Sequence, residues 1–140
     1  MAEPTTPMLQ VVVVTPEKAA LNTTAEMVVL PMYDGELGVL PNRAPLIGRL
    51  GTGELRLKTG TSTRRYFVEA GFVQVRSNVV TVLTAKACPA AEVTVASAEA
   101  ALAEAAALPA GNAVELDRKN RARERAAGMM RVATRNSLTS

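Results

Sequence analysis

Few residues in this chain have types and spacings that could do chemistry. Asp34 and Glu36 are carboxylates one residue apart, and paired carboxylates can divide acid and base duties in hydrolysis. They straddle an Asp34-Gly35 turn signal instead of facing across a cleft, so a carboxylate-pair enzyme is the weakest reading. The chain has no histidine, no tryptophan and one cysteine, Cys88. No intrachain disulfide can form, and neither a zinc site nor a Ser-His-Asp triad can be assembled. Cys88, beside Pro89, reads as a small buried hydrophobe and not as a redox switch. No residue is assigned to catalysis or metal binding, and no cofactor is expected.

Charge is the remaining chemical resource. The 140 residues carry 16 basic and 13 acidic side chains, net +3. The excess lies near the C-terminus, where Arg118, Lys119, Arg121, Arg123, Arg125, Arg131 and Arg135 outnumber Glu115, Asp117 and Glu124. The complement of such a stretch is an acidic surface, a nucleic acid, or the acidic segment bearing Glu99 and Glu104. A nucleic-acid-binding module is the alternative reading of this basicity. Against it, the basic residues surround their helix without forming one stripe. The aromatic residues, Tyr33, Tyr66, Phe67 and Phe72, form no stacking platform with them.

Two kinds of element must position these residues. Up to about residue 90, valine, threonine and glycine punctuate short runs; beyond it alanine dominates, filling eight of the twelve positions from Ala96 to Ala107. Val and Thr suit a pleated sheet, and Ala is the best helix former. Strands are predicted at Met8 to Thr15, Glu26 to Leu30, Gly53 to Thr59, around Tyr66 to Val75, and Val79 to Thr84. Leu55 and Leu57 alternate with Glu54, Arg56 and Lys58, the pattern of a half-buried strand. Arg49 and Glu54 flank the Gly51–Gly53 turn and are expected to face solvent. Lys18, Arg64 and Arg65 are likewise expected to be solvated. The inward phase shifts between Tyr66, Val68, Ala70 and Val73, Val75, which predicts a bulge near Gly71. Thr59-Gly60-Thr61 and Ser77-Asn78 read as turns. The aromatic content is only 3%, so the core must be aliphatic.

Helices are predicted from about Val95 to Leu108, capped by Thr94 or Ser97, and from about Ala113 to Arg135. Pro109 to Asn112 breaks the chain between them. Ala122, Ala126, Met129, Met130 and Ala133 form the apolar stripe of the second helix. Small stripes bury little area, so this hairpin should detach more easily than the sheet body unfolds. The expected fold is an all-β sandwich of about ten strands over residues 1–90, followed by a C-terminal antiparallel α-helical hairpin over 91–140. Met1 to Gln10 has no basic run, carrying only Glu3 with Pro4 and Pro7, and the run Val11 to Val14 is too short to span a bilayer. A lone cysteine without an export signal fits a reducing cytoplasm.

One stretch is more specific: Leu30-Pro31-Met32-Tyr33-Asp34-Gly35-Glu36-Leu37-Gly38-Val39-Leu40-Pro41-Asn42-Arg43-Ala44-Pro45-Leu46. It reads as a strand ending at Pro31, a tight turn, a short strand bounded by Gly38 and Pro41, and a loop held extended by Pro41 and Pro45. The stretch closely resembles the epsilon subunit family of F-type (rotary) ATP synthases. That family shows a Gly-Glu-x-Gly-x-x-Pro-Gly-His-Ala-Pro-Leu pattern here. The resemblance continues through Gly51 to Leu57, Ala70-Gly71-Phe72-Val73-Gln74-Val75, and Asn78 to Thr84, and it weakens in the helices. Asn42-Arg43 replaces the family's Gly-His, putting a permanent cation where an imidazole would titrate.

The resemblance implies a non-catalytic central-stalk subunit of the proton-translocating synthase. It would clamp the gamma subunit and rest on the c-subunit ring, on the cytoplasmic face of the bacterial plasma membrane, associating with that membrane only through the complex. Asp34, Glu36, Leu37 and Arg43 would face the ring, with Glu36 offering its carboxylate to a basic ring residue. The helical hairpin would be regulatory. When extended, Arg118, Lys119, Arg121, Arg123 and Arg125 would meet an acidic loop of a catalytic beta subunit, next to alpha, and block ATP hydrolysis. Many relatives bind ATP through an Asp-x-x-Arg-Ala motif. Its counterpart here, Asp117 with Arg121-Ala122, is one residue longer, so the two side chains still share a helix face but with altered geometry.

Overall fold

The structure is a computed structural model and describes residues 7–139. Glu3, Pro4 and the outermost ends of the two predicted parts lie outside the described residues. Among the described residues, eight strands come first: β1 (Leu9–Val14), β2 (Ala19–Ala25), β3 (Met27–Met32), β4 (Gly35–Val39), β5 (Leu46–Leu50), β6 (Gly53–Thr59), β7 (Ser62–Arg76) and β8 (Val79–Pro89). A short 3₁₀ turn, Ala90–Glu92, leads into α1 (Val95–Ala107) and α2 (Ala113–Thr139).

The expected number of about ten strands and the observed eight are reconciled by two long strands. β6 pairs with the first half of β7, from Val68 back to Ser62, whereas β5 pairs with the second half, Gly71 to Val75. The start of β8 pairs with β1 in parallel and with the end of β7; the end of β8 returns along the start of β7. One layer therefore runs β4-β3-β6-β7-β8 and the other β2-β1-β8-β7-β5, with β7 and β8 serving in both. A single bridge, Met32 to Leu50, also joins β3 to β5. The aliphatic residues meet between the layers. Leu9, Val11, Val13, Val73, Val75, Val80 and Val82 from one layer and Val28, Leu30, Val39, Leu55, Leu57 and Val68 from the other form one buried cluster.

The phase reversal in β7 is real, but the predicted bulge is not. Phe67 faces Cys88 and Val75 faces Val80 in the same register, so no residue is inserted between them. The strand reverses phase through two consecutive left-handed residues, Ala70 at φ 42° and Gly71 at φ 125°. A Cβ on Gly71 would sit 1.9 Å from the Leu83 carbonyl oxygen, so only glycine fits there. Buried Thr84 bridges the kink from the partner strand. Its hydroxyl accepts from the Glu69 amide at 3.0 Å and donates to the Glu69 carbonyl at 2.7 Å, replacing ladder bonds that the kink removes.

Other boundaries moved modestly. Pro31 lies inside β3, opposite Glu36, instead of ending the strand. Its carbonyl accepts from the Gly51 amide at 2.7 Å. The following strand begins at Gly35, so the hairpin turn is Tyr33-Asp34. Residues 40–45 form the expected irregular loop. It is fastened to the Ser77-Asn78 turn, because the Asn42 amide donates to Asn78 Oδ1 at 2.6 Å.

α1 opens with a reciprocal cap: Thr94 Oγ1 accepts from the Ser97 amide at 3.0 Å, and Ser97 Oγ accepts from the Thr94 amide at 3.1 Å. α2 opens on Asn112, whose Oδ1 accepts from the Glu115 amide at 2.8 Å. The two helices lie along one another, and the second half of α2 folds back onto β6 and β7. There Val132 and Ala133, with Met129 beside them, join Phe67, Ala90 and Val93 in a second, smaller apolar cluster. Gly128 allows the close approach: a Cβ on it would lie 2.8 Å from the Thr52 methyl.

Candidate partner-docking surfaces

The four residues expected to face the ring come together in space. Asp34, Glu36, Leu37 and Arg43 line one shallow surface depression of about 540 Å³, with Tyr33 and Arg49. The β3–β4 hairpin supplies the acidic side and the proline-held loop supplies Arg43. Asp34 and Arg43 are exposed. Leu37 is half-buried and packs on the main core, anchoring the hairpin. Glu36 Oε2 lies 2.9 Å from Arg56 Nη1. The Arg49 guanidinium stacks 4.4 Å from the centre of the exposed Tyr33 ring. A depression with both charge signs at its rim suits a polar partner surface.

A second surface was missed in the sequence. Ile47, Phe72 and Leu83 are 76%, 60% and 50% exposed. They project from β5, β7 and β8, neighbours in the sheet, and Phe72 stands opposite Leu83 on one side and Arg49 on the other. Large apolar side chains grouped on an outer face mark an interaction surface. The signal was available: once Val73, Val75, Val80 and Val82 point inward, Phe72 and Leu83 must point outward. Arg49 belongs to both surfaces, so the apolar strip and the polar depression adjoin.

Glu54 and Arg65 were expected in solvent, and the structure corrects both. The Glu54 side chain is only 8% exposed. Arg65 donates to its Oε2 from Nε at 2.9 Å and also from Nη2. Arg56 Nη1 lies 3.5 Å and Arg135 Nη1 3.6 Å from its Oε1. The reason is cover: the second half of α2 lies over the outer face of β6, which the strand pattern left open. Arg49 is exposed as expected, and Arg64 is exposed while donating to Thr23 Oγ1 at 2.9 Å.

The basic helix divides its charges. Arg125 Nε sits 3.4 Å from Glu69 Oε2, within ion-pair reach but off the hydrogen-bond line. Lys119 Nζ donates to the Ala106 carbonyl at 3.2 Å, near the C-terminal end of α1. Arg118 and Arg123 are exposed, with no ion pair among the described residues. Asp117 and Arg121 pair with each other at 3.0 Å on an exposed face. Cys88 is half-buried; burial pushes its thiol pKa up, Glu92 adds to the shift, and Lys86 opposes it.

Comparison with known proteins agrees with this architecture. The sequence profile of the ATP synthase delta/epsilon chain beta-sandwich domain matches residues 8–90. The ATP synthase epsilon chain of Rhodopirellula baltica is 46% identical over 125 residues, covering 89% of this chain and 98% of the relative. Two solved structures share the fold. One is a chain of the Euglena gracilis mitochondrial ATP synthase OSCP/F1/c-ring assembly, with a TM-score of 0.76 and 20% identity over 98% of this chain and 86% of that one. The other is from the Tetrahymena thermophila mitochondrial ATP synthase central stalk and c-ring, with a TM-score of 0.63 and 14% identity over 89% of this chain and 96% of that one. The nucleic-acid alternative finds no support in any of these. An aliphatic sandwich carrying a capped helical hairpin, matched along nearly its whole length by a named relative, belongs to the family of ATP synthase epsilon chains.

Proposed function

We propose that this chain is a non-catalytic part of the central stalk, passing rotation of the c-subunit ring to the catalytic head through contact with the gamma subunit. One observation carries the reading: a single stiff body presents an apolar strip, Ile47, Phe72 and Leu83, directly beside a polar depression containing Asp34, Glu36 and Arg43. A transmitter of torque needs one lasting attachment and one contact that registers a moving surface. Apolar burial suits the first, against gamma. Mixed charge suits the second, against polar loops of the ring. The close-packed core supplies stiffness. No helix among the described residues is long and apolar enough to cross a membrane, consistent with peripheral attachment through the complex. We place the protein on the cytoplasmic face of the bacterial plasma membrane.

The hairpin is the regulatory part of this proposal. In the structure it is folded on the sandwich. Released, its exposed cations Arg118, Arg121 and Arg123 would meet an acidic surface of a catalytic beta subunit, next to alpha, and slow ATP hydrolysis. The test is co-purification with the gamma subunit of the same synthase. The full chain is expected to form a complex at micromolar concentration, and Phe72→Asp is expected to weaken it at least tenfold by placing a charge in the apolar contact. No complex with the unmodified chain, or an unaltered complex with Phe72→Asp, would overturn the attachment assigned here.

A further inference from the structure

The ring-facing hairpin and the C-terminal helix are tied to the same buried oxygen. Glu36 Oε2 holds Arg56 Nη1 at 2.9 Å, and that same nitrogen reaches Glu54 Oε1 at 3.5 Å. Arg135, on α2, reaches the same Oε1 at 3.6 Å. The other oxygen, Oε2, is taken by Arg65. Two guanidinium groups therefore share one oxygen, and the first of them sits closer to Glu36, at 2.9 Å, than to Glu54, at 3.5 Å. A carboxylate oxygen offers two lone pairs, and two cations drawn onto it repel each other.

We infer that Glu54 is a positioning residue coupling partner engagement at Glu36 to release of the helical hairpin. When a cation on a partner takes the Glu36 carboxylate, Arg56 loses its nearer counter-charge and moves fully onto Glu54 Oε1. Arg135 is then displaced, and α2 loses one of its holds on the sandwich. Other holds remain: Asn136 accepts from Arg65 Nη1 at 2.7 Å and donates to the Ala90 and Val93 carbonyls at 2.6 and 3.1 Å, the Arg125–Glu69 pair stands, Arg131 donates to the Thr52 carbonyl at 3.2 Å, and the apolar cluster around Val132 is intact. The hairpin is therefore loosened, not ejected. Contact at the ring-facing edge thus biases the hairpin toward its extended state, although Glu36 and Arg135 are 99 positions apart in sequence, because Arg56 and Glu54 link them in space. This coupling rests on the reading that Glu36 meets a partner cation, but the linkage within the chain can be measured without any partner.

The experiment is amide hydrogen exchange on the full chain and its variants. Glu36→Gln imitates loss of the carboxylate to a partner. Amides of α2 from 126 to 137 are expected to exchange about two- to fivefold faster, the range of a part-exposed ion-pair effect. Core amides of β7 and β8 should be unchanged, which also verifies folding. Adding Arg56→Gln removes the cation that Glu36→Gln sets loose, and exchange in α2 should return to within about twofold of the unmodified chain. Unchanged α2 exchange in Glu36→Gln, or an effect that persists undiminished in the double variant, would overturn the coupling. Ring binding by the assembled synthase is a separate readout. Normal ring contact with Glu36→Gln would remove the partner assignment and leave the measured coupling standing.

Discussion

Replacing Glu54 by glutamine separates charge from shape at the junction of sandwich and helix. The carboxylate is 8% exposed and has Arg65, Arg56 and Arg135 within 3.6 Å. At an effective dielectric of about 20, each contact contributes on the order of 4 kcal/mol of gross attraction, much of it offset by desolvation. Removing one member of a buried pair costs about 3–5 kcal/mol, because the other charge is left uncompensated. Two features reduce that figure here. Arg56 retains Glu36 at 2.9 Å, and the Arg135 side chain is 52% exposed and can return to water. Glutamine also keeps one acceptor for Arg65. The expected loss for Glu54→Gln is about 2–3 kcal/mol, a fall of about 1–2 M in the urea midpoint. Glu36→Gln removes the same charge from a 55% exposed side chain and should cost about 0.5 kcal/mol or less. Equal losses in the two variants, or a Glu54→Gln midpoint matching the unmodified chain, would refute the view that cover by α2 makes Glu54 a structural carboxylate.

Gly71→Ala should destabilise the chain by more than about 3 kcal/mol, or prevent folding. The left-handed strain of about 1–3 kcal/mol adds to a clash with the Leu83 carbonyl. Gly60→Ala, at φ 58° with no atom within 4 Å of the added carbon, should cost only about 1 kcal/mol, and comparable thermal midpoints would refute the distinction. The Cys88 thiol, its pKa raised from the ordinary 9.0 by burial, should be alkylated by iodoacetamide at pH 8.5 more slowly than in the urea-unfolded chain. Because the folded state holds this proton more tightly, its contribution to stability is full below the ordinary thiol pKa and falls as pH rises through the raised value; Cys88→Ala should flatten that alkaline decline. Hydrogen exchange should show α1 and the first half of α2 opening at lower free energy than β7 and β8, and equal protection throughout would contradict it.

The layered body was legible because strand phase is a strong signal. Leu55 and Leu57, Val73 and Val75, and Val80 and Val82 all turned inward as their alternation required. The capping of α1 by Thr94 and Ser97 was equally readable from hydroxyl spacing. The kink at Gly71 was half legible. Phase reversal located it, but alternation cannot distinguish an inserted residue from two left-handed ones, since both turn the following side chains over. The missing information was the opposite strand, where the approach of Leu83 leaves room only for hydrogen.

The site was legible where it depended on one segment and illegible where it depended on cover. Asp34, Glu36, Leu37 and Arg43 share a hairpin and an adjoining loop, so local sequence kept them together. On β6, Glu54, Arg56 and Lys58 share an outward phase, yet only Lys58 is exposed; Glu54 and Arg56 are 8% and 15% accessible. The gradient follows the lie of α2, which crosses the start of that strand and leaves its end to water. A period of two reports which side a residue takes, not what lies on that side. The start of β6 therefore answers to a helix 79 to 81 positions later in the chain, through Arg131 on the preceding Thr52 and Arg135 on Glu54. Sheet body and hairpin are chemically joined at the strand whose outer face looked most freely solvated.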